Sequence, residues 1–330
     1  MSAAGHSIRI ASALAVALAA ACAADTLADS PETGDGGGVE TTTGGADETS
    51  GRGPASSTGA LDDAATGSLS ATTSSEGDES PIGFDLGREV DAPGQDMRCE
   101  SEVDVVFVMD VSTSMGAFLS TLADEIIAVD TAIQELGLAT QPHYGLAVFV
   151  DDYLLVGGGT PYDDVGLLAA DFDMWSTFTG SNSQVNGGGF NTTFPENSLD
   201  PLFAAATDFD WRPLGTTTRI VIHTTDDTFS EAPAVVDGIP VEHDYVDTVD
   251  ALQDEQVRVF AFAAMLGGPS EFDDVSMGWF VPYGAELAIP VATDGGVYNI
   301  DDVLAGTVSL GDAIVAAVED SHCDPYTPQG

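Results

Sequence analysis

The sequence contains no lysine, and its only strongly basic side chains are seven arginines, against 55 aspartates and glutamates. The missing lysine excludes a phosphate-binding P-loop, whose lysine contacts the phosphates, and it also excludes chemistry through a lysine Schiff base. The formal net charge of −48 excludes nucleic-acid binding, because a surface of that sign repels the phosphate backbone. Such acidity suits solubility and the attraction of divalent cations instead.

Apolar runs long enough to span a membrane are also missing. The run near the N-terminus covers residues 10–21, which is the length of the hydrophobic region of a signal peptide, and Arg9 precedes it. It ends in LAAAC (18–22), which resembles the lipobox of bacterial lipoproteins, where the cysteine becomes the lipidated N-terminus. Ala19 replaces the usual leucine of that family, so cleavage by the ordinary signal peptidase is the alternative. We predict an exported protein of the cell envelope or surface, or a secreted one, with residues 1–22 as its signal peptide and lipidated Cys22 as its only membrane anchor.

Cysteine is scarce, with three residues in the whole chain. If Cys22 carries lipid, Cys99 and Cys323 remain, and export permits a disulfide between them. They lie just before the first predicted strand and just after the last predicted helix, and in a doubly wound sheet those two ends can lie close together. We predict that they pair; two unrelated free thiols are the alternative.

The chain divides into parts of different composition. Residues 23–98 are dominated by Thr, Ser, Gly, Ala, Asp and Glu, and cannot bury enough apolar surface to offset their ordering entropy, so we predict a disordered acidic linker. Residues 99–323 alternate apolar runs with helical patterns, which predicts an α/β domain with a doubly wound, largely parallel sheet and helices on both faces. Residues 324–330 form a short tail. The predicted strands cover 103–110, 144–150, 165–172, 219–226, 257–265 and 296–300, and the predicted helices cover 114–136, 197–209, 245–255 and 308–320.

The most informative motif is D-x-S-x-S, formed by Asp110, Ser112 and Ser114 between a buried strand and a helix. Ligands of open parallel sheets bind beyond the carboxyl ends of the strands, where this motif lies. A carboxylate and two hydroxyls on alternate residues offer hard oxygen ligands, which suit Mg²⁺, Ca²⁺ or Mn²⁺. Asp226 ends another predicted strand, so its carboxylate can reach the same point. A glycine-rich loop follows the first half of the domain and leads to Thr193 and Glu196 at a helix start.

These elements resemble the von Willebrand factor type A family, and within it the integrin β-subunit version. The segments DVSTSM, FVDD, N–PE, TRIVIHTTDD and ATDGGVYNI occur in the family's order, and the resemblance covers residues 99–323. It implies a Rossmann-like fold and a metal-ion-dependent adhesion site, at which an acidic residue of a protein partner completes the coordination of the cation. Ser112 and Ser114 would bind the metal directly, and Asp110 and Asp226 directly or through waters. Glu196 would supply the remaining ligand, with Thr193 as the alternative.

The integrin pattern also has two flanking cation sites. Ala117 and Phe118 stand where one of them needs acidic residues, so that site is predicted to be absent. Asp151 and Asn191 match the other, but Thr193 replaces its acidic ligand, and Asp151 is alternatively a solvated loop residue or a helix cap.

Other candidate residues have simpler interpretations. His223 is interpreted as a core or hydrogen-bonded histidine. His243 and Asp244 lack a supporting histidine cluster, and the glycine runs 157–159 and 187–189 are loop glycines because no lysine follows them. Trp279, Phe280 and Tyr283 are interpreted as packing residues of a long loop, with a ligand-facing patch as the alternative.

The sequence therefore favours a binding protein, not an enzyme, whose cation captures an acidic partner residue in adhesion or protein recognition. The first alternative is a docking or accessory subunit of an exported enzyme or assembly. A metal-dependent hydrolase ranks last, because the sequence offers no convincing general base near the metal; Asp227 is the nearest candidate.

Overall fold

The computed structural model describes residues 99–266 and 274–330; the predicted signal peptide, Cys22 and the linker over 23–98 lie outside these ranges. The described residues form a main sheet and a small hairpin. The strands are β1 (Glu102–Asp110), β2 (His143–Phe149), β3 (Tyr153–Leu155), β4 (Thr217–Thr225), β5 (Val235–Val236), β6 (Ile239–Pro240), β7 (Val257–Ala263) and β8 (Gly296–Asn299). The helices are α1 (Gly116–Gln134), α2 (Val165–Thr179), α3 (Leu199–Thr207), α4 (Tyr245–Asp254), α5 (Ile289–Ala292), α6 (Ile300–Leu304) and α7 (Leu310–Cys323).

The main sheet has the strand order β3-β2-β1-β4-β7-β8. All neighbouring strands in it are parallel except β3, which runs antiparallel to β2 at one edge. The central strands are almost continuously apolar because helices cover both of their faces. The predicted fold class, a doubly wound and largely parallel sheet, is confirmed.

Alternate residues of β1 pack into the two halves of the core, one on each face of the sheet. Phe107 and Met109 pack in the layer that also contains buried residues of α1, α2 and α7. Val106 and Val108 point to the other face, where α3, α4 and α5 contribute. This alternation is the two-residue period of a strand, and it places each helix on one side of the sheet.

One predicted strand is wrong: residues 165–172 belong to helix α2. Asp164 caps the helix, since its side chain accepts a hydrogen bond from the backbone N–H of Gly166. The buried side chains Leu168, Phe172 and Trp175 recur at helical spacing. The edge position of the sheet is taken by β3 instead.

The two ends of the described domain meet at the amino-terminal edge of the parallel strands. Cys99 and Cys323 form a disulfide there, and the backbone N–H of Glu100 donates to the His322 carbonyl at 3.0 Å. None of the described helices is long and apolar enough to cross a membrane.

Candidate metal centre

The candidate site lies where the strand order reverses. Strand β1 has β2 on one side and β4 on the other, so the connections leaving β1 and β4 diverge and leave a crevice between them. Asp110 is the last residue of β1, and Asp226 directly follows β4. The crevice has a volume of about 380 Å³. It is lined by Ser112, Thr113, Ser114, Asn182, Asn191, Thr192, Thr193, Phe194, Glu196, Asp226 and Asp227.

Hydrogen bonds join the D-x-S-x-S loop to the end of β4. The backbone N–H of Ser112 donates to Oδ1 of Asp110 at 2.7 Å, which folds the loop back over its own carboxylate. The hydroxyl oxygens of Ser112 and Ser114 lie 3.2 Å apart, and the Ser114 hydroxyl donates to Oδ1 of Asp226 at 2.8 Å. Thr225 adds a contact from β4, its hydroxyl lying 3.3 Å from Oδ2 of Asp110. Four predicted ligand residues therefore occupy one small volume.

Glu196 reaches the same volume from the segment before α3. Its backbone is held in a parallel bridge to Phe229: the Glu196 N–H donates to the Thr228 carbonyl, and the Ser230 N–H donates to the Glu196 carbonyl. The side chain is 1% exposed. Oε1 accepts a hydrogen bond from Asn191 Nδ2 at 3.2 Å, whereas no donor among the described residues reaches Oε2. A buried carboxylate oxygen without a donor calls for a cationic partner.

The electrostatics of the crevice point the same way. Burial, then the negative charge of Asp226, raises the pKa of Asp110 to about 7. Burial and the neighbouring Asp110 carboxylate raise the pKa of Glu196 well above its usual range. Burial also raises the pKa of Asp226, although its hydrogen bond from Ser114 opposes this. These carboxyls resist ionisation because they are withdrawn from solvent and no basic side chain of residues 99–266 and 274–330 forms an ion pair with them.

Basic side chains of the described residues lie elsewhere. The three described arginines form ion pairs away from the crevice, Arg212 with Glu102 and Asp104, Arg219 with Glu255, and Arg258 with Asp294. Most of these partners belong to the amino-terminal half of the sheet or to the turns below it. A bound cation would therefore be the compensating charge for the crevice, and its carboxylate and hydroxyl oxygens are ligands that Mg²⁺, Ca²⁺ and Mn²⁺ accept.

Thr193 and the predicted second cation site are adjacent to this crevice. The Thr193 hydroxyl is directed at Asp151, 3.4 Å from its Oδ1, and the Thr193 N–H donates to Oδ1 of Asn191 at 3.3 Å. Asp151 is fully buried and hydrogen-bonded to the side-chain amide of Gln184. Burial raises its pKa to about 6. Asp151 and Asn191 thus both contact Thr193, and Asn191 also contacts Glu196.

Two residues beside Asp151 were missed by sequence reasoning. Asp237 forms the tip of the β5–β6 hairpin, and its carboxylate accepts bonds of 2.7 Å from both the N–H and the hydroxyl of Thr192. The Asp-Gly pair at 237–238, between Val236 and Ile239, is a strong hairpin signal that could have revealed this element. Gln184 lies in an irregular loop and carries no comparable signal.

The residues with simpler interpretations lie outside the crevice. His223 is fully buried and stacks against Phe149 and Trp279, and this burial lowers its pKa to about 3. Trp279 is also fully buried, which confirms its interpretation as a packing residue. His243 bonds to Asp200 at 2.9 Å. Asp244 caps α4 by accepting a hydrogen bond from the Asp247 N–H. Glycines 157–159 lie in a short 3₁₀ segment, Val156–Gly159, with positive φ at all three, and glycines 187–189 lie in a loop.

Comparison with known proteins gave structural similarities only. No family model matches the chain, and no curated protein matches it. Two structures of proximal thread matrix protein 1 from the mussel byssus are similar to this chain, each with a TM-score of 0.38. The first is 13% identical in sequence and covers 68% of this chain and 47% of its own. The second is 15% identical and covers 70% of this chain and 48% of its own. The second is described as having a zinc-occupied MIDAS motif. The pilus adhesin SpaC from Lactobacillus rhamnosus GG is 16% identical, with a TM-score of 0.41, over 65% of this chain and 31% of its own. This chain thus spans less than half of each of these proteins.

Proposed function

We propose that the chain is a metal-dependent binding protein, in which a divalent cation in the crevice captures an acidic residue of a protein partner. The observation that carries this proposal is the convergence of two buried carboxyls, Asp110 and Glu196, with the partly buried Asp226 carboxyl and two serine hydroxyls. They come from three separate segments, and no basic side chain among the described residues lies beside them. A bound cation would stabilise such a set of oxygens, whereas without one the buried carboxyls destabilise the folded state.

The proposed ligands are Asp110, Ser112, Ser114, Asp226 and Glu196. Glu196 is a better fifth candidate than Thr193, because its carboxyl interacts directly with that of Asp110, whereas the Thr193 hydroxyl is bonded to Asp151. The two serines contribute neutral oxygens, and with Asp110 and Asp226 acting through waters Glu196 would be the one carboxylate bound directly to the cation, which then keeps an attraction for a carboxylate from outside. The opening of the crevice towards solvent leaves room for that carboxylate.

Binding is favoured over catalysis by the lining of the crevice. No histidine or cysteine is found among the described residues that line it, and the chain has no lysine. Asp227, the candidate base for a hydrolase, accepts a 2.7 Å hydrogen bond from the Thr228 N–H. That bond orients the Asp227 carboxylate towards the backbone.

Export is part of the same proposal. The Cys99–Cys323 disulfide belongs to an oxidising compartment, which agrees with the predicted signal peptide. Lipidation of Cys22 would anchor the protein to a membrane while the acidic linker holds the binding domain at a distance.

Calorimetric titration of Mg²⁺, Ca²⁺ and Mn²⁺ into the purified protein tests the cation site. We expect one saturable site that is lost in the Asp110→Ala, Ser112→Ala double variant and kept in Glu319→Gln, which changes an exposed carboxylate on α7. A second saturable site, lost in Asp151→Asn alone, would identify the flanking cation. Equal weak binding by the native protein and the double variant would contradict the proposal, because the acidic surface alone would then account for it.

A further inference from the structure

Two phenylalanines stand exposed on the loop that borders the candidate metal centre. Phe194 is 80% exposed and lines the crevice itself, two residues before Glu196. Phe190 is 70% exposed and immediately precedes Asn191, another lining residue. Two large apolar side chains this exposed, four residues apart on one loop, are a feature of interaction sites.

The loop that carries these rings is held in place from both sides. The Asn191 N–H donates to the Asn182 carbonyl at 2.9 Å, and the Gln184 N–H donates to the Gly189 carbonyl at 3.1 Å. On the other side, the Asp237 carboxylate accepts two bonds from Thr192. The two rings are therefore presented to solvent by a backbone that is anchored on either side of them.

The charge around the crevice defines what the rings can meet. Asp226, Asp227 and Asp237 surround it, so an acidic partner residue can approach only through a cation, and an apolar neighbour of that residue would meet a phenylalanine at once. The protein's net charge of −48 disfavours an anionic membrane surface as the occupant.

We propose that the crevice and the two phenylalanines together recognise a segment of a protein partner in which an acidic residue stands beside a large apolar or aromatic residue. This inference rests on the proposed cation site, since the carboxylate of the segment binds there. Phe194 contacts the neighbouring side chain and so determines which acidic segments are accepted. Aromatic contacts of this kind add to the affinity without taking part in metal binding.

Blocked hexapeptides with one central aspartate, titrated in saturating Mg²⁺ and followed by calorimetry or NMR, test the inference. We compare phenylalanine before or after the aspartate with glycine at both places, and with asparagine replacing the aspartate. We expect at least one phenylalanine peptide to bind about tenfold tighter than the glycine peptide, a difference of ~1.4 kcal/mol, and the asparagine peptides not to bind.

Two serine variants of the loop and one control distinguish the contribution of the phenylalanine rings to peptide affinity from that of the metal. Phe194→Ser, and Phe190→Ser to a smaller degree, should remove the preference for phenylalanine while Mg²⁺ binding stays unchanged. Leu167→Ser, at an apolar position on α2 that is 56% exposed, should keep the preference.

Several outcomes would overturn the inference. Equal affinity for the phenylalanine and glycine peptides, or no binding of any peptide by a protein that binds Mg²⁺, would show that the rings do not recognise such a segment. Binding to phosphatidylserine vesicles in Ca²⁺ that is lost in Phe194→Ser would assign the rings to a membrane. Failure of Mg²⁺ binding itself would instead contradict the proposed function, and the titration reports that separately.

Discussion

Replacing Glu196 by glutamine should stabilise the protein without divalent cations and abolish its response to them. The substitution keeps the shape of the side chain and its contact with Asn191, but it removes a carboxyl that burial and the neighbouring Asp110 carboxylate keep from ionising. In the unfolded chain the Glu196 carboxyl ionises freely near neutral pH, whereas in the folded protein its raised pKa disfavours the charged form, so its removal should raise the free energy of unfolding by about 1–3 kcal/mol.

The native protein should show the opposite behaviour when Mg²⁺ is added. At a concentration of one hundred times the dissociation constant, binding stabilises the folded state by about 2.7 kcal/mol. For a domain of this size that corresponds to a rise of about 5–10 °C in the melting temperature. The lead in melting temperature that Glu196→Gln has over the native protein in EDTA should therefore close or reverse in Mg²⁺.

Thermal unfolding followed by circular dichroism measures both effects, with Glu319→Gln as the control for loss of one surface charge. The advantage of Glu196→Gln in EDTA should be largest near pH 8 and shrink towards pH 5. The sign follows from the raised pKa of Glu196, because the unfolded chain ionises this carboxyl above its ordinary pKa of about 4.3 while the folded protein resists doing so, and this cost grows with pH. The reasoning is refuted if Glu196→Gln melts below the native protein in EDTA and still gains the full shift with Mg²⁺. Glu196 would then be a structural polar residue held by Asn191.

Three further predictions concern stability. Burial lowers the pKa of His223 to about 3, so below pH 6.5 the unfolded chain takes up a proton that the folded protein excludes, and the free energy of unfolding falls. Urea unfolding at pH 7 and 4.5 should therefore show the native protein losing about 2 kcal/mol more than His223→Leu. Equal losses would contradict this. Replacing Cys99 and Cys323 by serine should lower the free energy of unfolding by up to ~5 kcal/mol, because the bridge joins residues 224 apart in the sequence. A reductant should lower the denaturation midpoint of the native protein by the same amount and leave that of the double variant unchanged. Arg212→Gln leaves the fully buried Asp104 without its ion pair and should lower the free energy of unfolding in urea by about 3–5 kcal/mol. Adding Asp104→Asn should restore most of that loss. A double variant as unstable as the single one would show that Arg212 stabilises the protein by packing and not by charge.

The position of the crevice could be predicted because it depends on strand ends. Asp110 and Asp226 directly follow long apolar runs, and parallel strands bring such ends to one edge of the sheet whatever the details of the helices. The role of Glu196 was harder to predict, since the sequence around it does not show whether its side chain or that of Thr193 faces Asp110. Only the backbone bridge between Glu196 and Phe229 decides the direction of that side chain.

The errors have equally local causes. Residues 165–172 are as apolar as a strand, and the helical spacing becomes clear only when Trp175 is included. Asp237 and Gln184 reach Asp151 from irregular segments that no periodicity describes. An Asp-Gly turn predicts a hairpin, but it does not predict where the tip of that hairpin will contact the rest of the protein.

The disulfide has a mechanical consequence, because it lies at the opposite end of the sheet from the crevice. Tension between a captured partner and the segment that enters at Cys99 would run along β1, whose residues pair with β2 on one side and β4 on the other. A pull along parallel strands loads those hydrogen bonds in shear, so many must break together before β1 can slide. The bridge to Cys323 also diverts part of the load into α7 and keeps the chain from peeling open at its ends. A pull applied between Cys99 and the crevice would therefore meet high resistance, and single-molecule extension in oxidising and reducing buffer would measure how much of that resistance comes from the bridge.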